Sequence, residues 1–81
     1  MTLDTGTIKV RVGARLRALR RARDLSQRDV ASLLNTDAAE VSRHESGARC
    51  PSVLLLARYA EVLEVPIYEL LRFDEPTVTL G

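Results

Sequence analysis

In the stretch DAAEVSRHESG, residues 37–47, a serine and an arginine stand side by side at Ser42 and Arg43. Two alanines, three acids and the only histidine of the chain surround them. An arginine offers a planar fork of donors that matches a phosphate or a pair of acceptors, and a serine hydroxyl can donate or accept. Groups that would make or break bonds are missing from the sequence: it has no histidine–nucleophile pairing and no glycine-rich phosphate loop. No Cys, His or carboxylate cluster has metal-ligand spacing. These residue types suit recognition by hydrogen bonding, so neither catalysis nor a metal or cofactor is expected.

At 100° per residue, a helix over this stretch puts Val41, His44 and Glu45 on one side. Ala38, Ala39, Ser42 and Arg43 fall on the other, continued by Ser46, and Glu40 projects sideways. With Val41 as the inward anchor, the second group forms the exposed face.

The elements that must hold this helix follow from periodicity and capping. Residues 1–7 have no period and read as a flexible lead-in. From Ile8 an apolar stripe of Ile8, Val12, Leu16 and Leu19 predicts a helix with a basic outer face, ending near Asp24. Ser26 can cap a second helix whose first turn holds Asp29 and whose buried side is Val30, Ala31, Leu33 and Leu34. Asn35 stands where a left-handed residue would end it. Asp37 is placed to cap the third helix, and with Glu40 it resembles a capping box. Gly47 ends that helix, and Ser52 caps a fourth with Val53, Leu56, Ala60 and Leu63 inward. Pro66 interrupts the chain before a last short helix, 67–73, with Leu70 and Leu71 buried. The expected fold is all-α, a compact five-helix bundle over residues 8–73, and the pair of helices about Asn35-Thr36-Asp37 is a helix-turn-helix. The tail, 74–81, has strand-like residues without an evident partner and is a candidate interface segment.

Eighty-one residues suffice for one small domain with a single core. That core must be aliphatic, since the aromatic residues are Tyr59, Tyr68 and Phe73 alone. The net charge is only +1, but residues 9–49 hold ten of the twelve basic side chains and five of the eleven acids. The basic first half suggests an anionic partner for one face. No apolar run is long enough to span a membrane, and a lone Cys50 with no signal-like N-terminus fits a reducing, cytoplasmic location.

LSQRDVASLLNTDAAEVSRHESG followed by PSVLLLARYAEVLEVPIYELL resembles the Xre-type helix-turn-helix family, which includes the phage repressors and Cro proteins. The resemblance runs from about Val12 to Leu71, and its joint spacing is more specific than any one element. It implies a bacterial or phage-encoded regulator of transcription, most simply a repressor, that binds double-stranded DNA in the cytoplasm. It further implies a homodimer on a pseudo-palindromic operator, with the third helix in the major groove.

Carried onto this sequence, the family's base-reading positions are Ala38, Ala39, Ser42 and Arg43, the same face that the wheel exposes. Arg43 can donate bidentately to guanine or clamp a phosphate, and the alanine methyls can pack on thymine methyls. Gln27, Arg28, Ser46, Arg49 and Arg15 are phosphate candidates. Arg20 and Glu45 match positions that form a structural ion pair in the family. His44 is expected to pack in the core. Leu55, Tyr59 and Val62 cluster off the inward stripe of the fourth helix and are the candidate dimer or partner interface. A different function class stays open beside DNA regulation: a protein-binding module, such as the antitoxin of a toxin–antitoxin pair that also binds its own DNA.

Overall fold

The computed structural model describes residues 4–73, and all the regular elements among them are helical. In chain order they are α1 (Thr5–Ala22), α2 (Gln27–Leu34), α3 (Ala38–Ser46), α4 (Val53–Leu63) and a 3-10 helix, Ile67–Leu71. The all-α class is as expected. The fifth element is a 3-10 turn where an α-helix was expected, because five residues after Pro66 offer little propagation to offset nucleation.

Helix α1 begins three residues ahead of the expected Ile8. Asp4 caps it, its carboxylate accepting the Thr7 amide at 2.7 Å, so residues 5–7 are helical where a lead-in was expected. The tail expected to form an interface, 74–81, lies outside the described residues, as do residues 1–3.

The remaining helix ends are written locally. Ser26 and Asp29 form a reciprocal capping box, with Asp29 N to Ser26 Oγ and Ser26 N to Asp29 Oδ2 both at 2.9 Å. At α3 only half of the expected box exists: Asp37 accepts the Glu40 amide at 2.8 Å, while the Glu40 carboxylate turns toward Arg49. Asn35 and Gly47 close α2 and α3 in left-handed conformations, with φ of 61° and 83°.

The core is one cluster. It takes Val12 and Leu16 from α1, Val30, Ala31 and Leu34 from α2, Val41 from α3, and Leu70 from the 3-10 helix. From α4 come Leu56, Tyr59, Ala60 and Leu63, an i, i+3, i+4, i+7 set that forms a truer helical stripe than the expected one. Val53, expected inward, is the first residue after the Ser52 cap and is 77% exposed. Leu33 and Leu71 were likewise expected to be buried and are exposed, each lying off its element's inward line. Each fully buried aliphatic side chain stabilises the fold by roughly 1.5–3 kcal/mol. Through this core α1 packs on α3 and the 3-10 helix, and α2 packs on α3 and α4.

Candidate nucleic-acid interface

Three sets of contacts fix the orientation of α3. The first is a close approach to α1 at Gly13. A Cβ there would lie 2.4 Å from the His44 carbonyl oxygen and 2.5 Å from that of Glu45, so a side chain would force the helices apart. One turn earlier, Val10 lies against Gly47, where a Cβ would come within 2.9 Å of the Val10 Cα.

The second is an ion pair. Arg20 Nε and Nη2 donate to the two carboxylate oxygens of Glu45 at 2.6 and 3.0 Å. Both residues are buried. Arg20 Nη1 donates to the Leu25 carbonyl at 2.7 Å, and Gln27 Nε2 donates to Glu45 Oε1 at 3.0 Å. Each buried charge therefore has more than one partner, the condition under which such a pair is tolerated. The hydrogen bond to Glu45 raises the Arg20 pKa further, outweighing burial, which lowers it. This network joins the C-terminal end of α3 to α1 and to the first residue of α2.

The third set centres on His44, which is 2% exposed. Its Nδ1 lies 2.7 Å from the Tyr59 hydroxyl, and the rings meet edge-on with centroids 5.6 Å apart. Burial lowers the His44 pKa, opposed in part by Glu40 and reinforced by Arg49 and Arg43. Burial also pushes the Tyr59 hydroxyl upward, so it stays protonated. A neutral imidazole has one donor and one acceptor nitrogen. Assigning the proton to Nε2, 3.8 Å from Glu40 Oε1, lets Tyr59 donate to Nδ1.

With Val41, His44 and Glu45 buried, the opposite face of α3 is open. Ala39, Ser42, Arg43 and Ser46 are exposed, and Ala38 is half-buried at the start of the helix. The Arg43 guanidinium has no hydrogen-bond or ion-pair partner among the described residues. The Ser46 hydroxyl donates to the Arg43 carbonyl at 3.1 Å and accepts from the Ala48 amide, at the turn where the helix ends.

The expected phosphate candidates separate. Arg28 is exposed and unpartnered among the described residues. Arg49 is exposed too and reaches Glu40 at 3.3 Å. Gln27 is half-buried through its bond to Glu45. Arg15 is a correction. Its Nε donates to the Glu69 carbonyl at 2.7 Å and its Nη2 meets the Glu69 carboxylate at 2.5 Å, which turns it toward the 3-10 helix.

Tyr59 is a second correction. Expected at an interface, it is 1% exposed because its ring completes the inward stripe of α4 and its hydroxyl holds His44. Leu55 and Val62 are half-buried against the core. The exposed apolar residues of this region are Val53 and Leu54 on α4 and Ile67, Tyr68 and Leu71 on the 3-10 helix. Gly13 was not anticipated, since a lone glycine in a helix carries no sign of its neighbour.

The comparisons with known proteins agree with this geometry. The HTH_3 helix-turn-helix family model matches residues 16–70. Among solved structures, the restriction-modification controller protein C.AhdI from Aeromonas hydrophila is 38% identical with a TM-score of 0.72, over 75% of this chain and 92% of its own. The DNA-binding domain of BldD is 32% identical with a TM-score of 0.75, over 89% of this chain and 100% of its own. The clp gene regulator ClgR from C. glutamicum is 25% identical with a TM-score of 0.76, over 79% and 83%. No curated protein sequence matches. More than half of the chain lies within the family match, and the recognised fold surrounds the helix pair described above. The chain belongs to the HTH_3 helix-turn-helix family, whose fold is that of DNA-binding transcriptional regulators.

Proposed function

We propose that this chain binds double-stranded DNA in a sequence-specific way, as a small cytoplasmic regulator of transcription and most simply a repressor. Helix α3 enters the major groove, and Ala38, Ala39, Ser42 and Arg43 meet the bases. One observation carries this reading. The acids of the α3 region are capped or paired, while Arg43 stands exposed and unpartnered on the opposite face. The likeness to a DNA-binding domain and to gene regulators supports it. Arg28, Arg49, Ser46 and Gln27 flank the face and supply phosphate contacts. Arg15, tied to Glu69, is left out of this set.

The chain acts as a homodimer on a pseudo-palindromic operator, its half-sites about one helical turn, ~34–36 Å, apart. Support comes from the apolar residues left open on α4 and the 3-10 helix, Val53, Leu54 and Tyr68 above all. Sedimentation that finds a monomer at tens of micromolar, free or on DNA, would remove the dimer from the proposal.

The test of the whole reading is selection of bound duplexes from random sequence, followed by Arg43→Ala and Arg49→Ala on the selected site. Loss of a base contact at Arg43 should weaken binding by ~1–3 kcal/mol and relax preference at one base pair. Loss of a phosphate contact at Arg49 should weaken all sequences alike. If both variants act alike on every sequence, Arg43 does not read a base.

A further inference from the structure

We infer that Arg17 of α1 is a further DNA-backbone contact, seated beside α3 where the sequence pointed to Arg15. The inference rests on the DNA-binding reading above and adds a residue to it.

Arg17 lines a polar hollow of ≈ 240 Å³ with Gln27 from α2 and Ser42, Glu45 and Ser46 from α3. Two of those, Ser42 and Ser46, belong to the face assigned to the duplex. The sole acid in the lining, Glu45, is already neutralised by Arg20 and accepts from Gln27 as well. The hollow therefore holds one uncompensated positive charge, that of Arg17.

The path of α1 brings Arg17 there. Val10 and Gly13 mark the side of α1 that touches the end of α3. Arg17 lies one turn beyond Gly13, at i+4, on the same side. Long side chains on a helix lean toward its N-terminus, which directs Arg17 back over Gly13 toward Glu45 and Ser46.

Three of the other four arginines of α1 are engaged: Arg15 with Glu69, Arg20 with Glu45, and Arg11 over the Phe73 ring at 5.8 Å. Arg17 is exposed and has no hydrogen bond or ion pair among the described residues. Arg21 is also open, but the hollow does not include it. A guanidinium delivered from a neighbouring helix to the rim of the recognition helix meets the sugar–phosphate backbone before a base edge, so its ligand is a phosphate.

The simpler role for Arg17 is to oppose the negative end of the α3 dipole. Salt dependence separates the two roles, because only a phosphate contact releases counterions from DNA. The experiment measures affinity for the selected duplex from about 50 to about 200 mM salt, for the unsubstituted chain and for Arg17→Ala, Arg17→Lys and Arg15→Ala. The expected result for Arg17→Ala is a log–log slope shallower by ~0.9, so that its affinity falls about 3.5-fold less over this range. All duplex sequences should weaken by the same factor. Arg17→Lys should restore the slope, and Arg15→Ala should leave it unchanged. An Arg17→Ala slope equal to that of the unsubstituted chain, with or without a lower melting temperature, overturns this inference alone. Failure of the unsubstituted chain to bind any duplex overturns the DNA-binding reading together with it.

Discussion

The two faces of α3 differ less in composition than in whether their polar groups are answered. On the inner face Glu45 has Arg20 and Gln27, and His44 has Tyr59. On the outer face Arg43 has no partner among the described residues and Ser42 stands exposed. A buried polar group without a partner is strongly destabilising, whereas an exposed one is simply hydrated. Around α3 the fold therefore pairs Glu45 and His44 on the inner face, leaves only Glu40 Oε1 buried without a hydrogen bond among the described residues, and keeps Arg43 open toward the proposed ligand. Substitution on the inner face should then cost stability, and substitution on the outer face should cost binding.

The largest break in this contrast is Glu45→Ala. It strands a buried guanidinium and removes the acceptor of Gln27, so a loss of roughly 3–5 kcal/mol is expected in denaturant unfolding. A domain of this size has little more than that to lose. Replacing both partners, as in Arg20→Leu with Glu45→Leu, should restore much of the loss, since no lone charge remains. If the single and double variants unfold alike, the pair matters for the shape of its side chains and not for its charge.

Tyr59→Phe sharpens the same contrast at smaller scale. The ring stays in the core, but His44 Nδ1 loses its partner in a place that is sealed from water. An unsatisfied buried group costs about 1–3 kcal/mol, and chemical denaturation should show a loss in that range. Because α3 is also held by Arg20 at Glu45 and by the close approach at Gly13, duplex affinity should change little beyond what the lost stability explains. A selective loss of affinity with stability intact would place Tyr59 in the outer set after all.

How much of this was legible in the sequence depends on how local each signal is. Ser26, Asn35, Asp37, Gly47 and Ser52 act within a turn of their own positions, and they mark the helix ends that the structure has. The α3 wheel could be phased because its residues differ sharply in polarity, with Val41 fixing the inner side. In α4, VLLLARYAEVL, the phase rests on Arg58 and Glu61 alone, a weak signal in a helix otherwise apolar all round. Val53 and Tyr59 were exchanged between core and surface for that reason. Arg15 and Arg17 have the same chemistry two residues apart. What separates them is Glu69, 54 residues further along the chain, and such a partner is set only by packing. Gly13 is invisible for the same reason, since its meaning lies in the backbone carbonyls of α3.

The smallest expected effect concerns protons. Burial lowers the His44 pKa from its ordinary 6.5, against the pull of Glu40 and with the help of Arg49 and Arg43. Below about pH 6.5 the unfolded chain therefore takes up a proton that the folded chain refuses. Stability should be fully present above that pH and should decline as pH falls toward the lowered folded value. One proton limits the slope to ~1.36 kcal/mol per pH unit. His44 is the only histidine, so comparison with His44→Leu between about pH 5 and 6.5 isolates its contribution. Urea unfolding across that window should show the decline in the natural sequence and not in His44→Leu. A flat profile in the natural sequence would mean that the folded chain accepts the proton at His44, shared with Glu40, and that the inner face of α3 is less closed than its geometry implies.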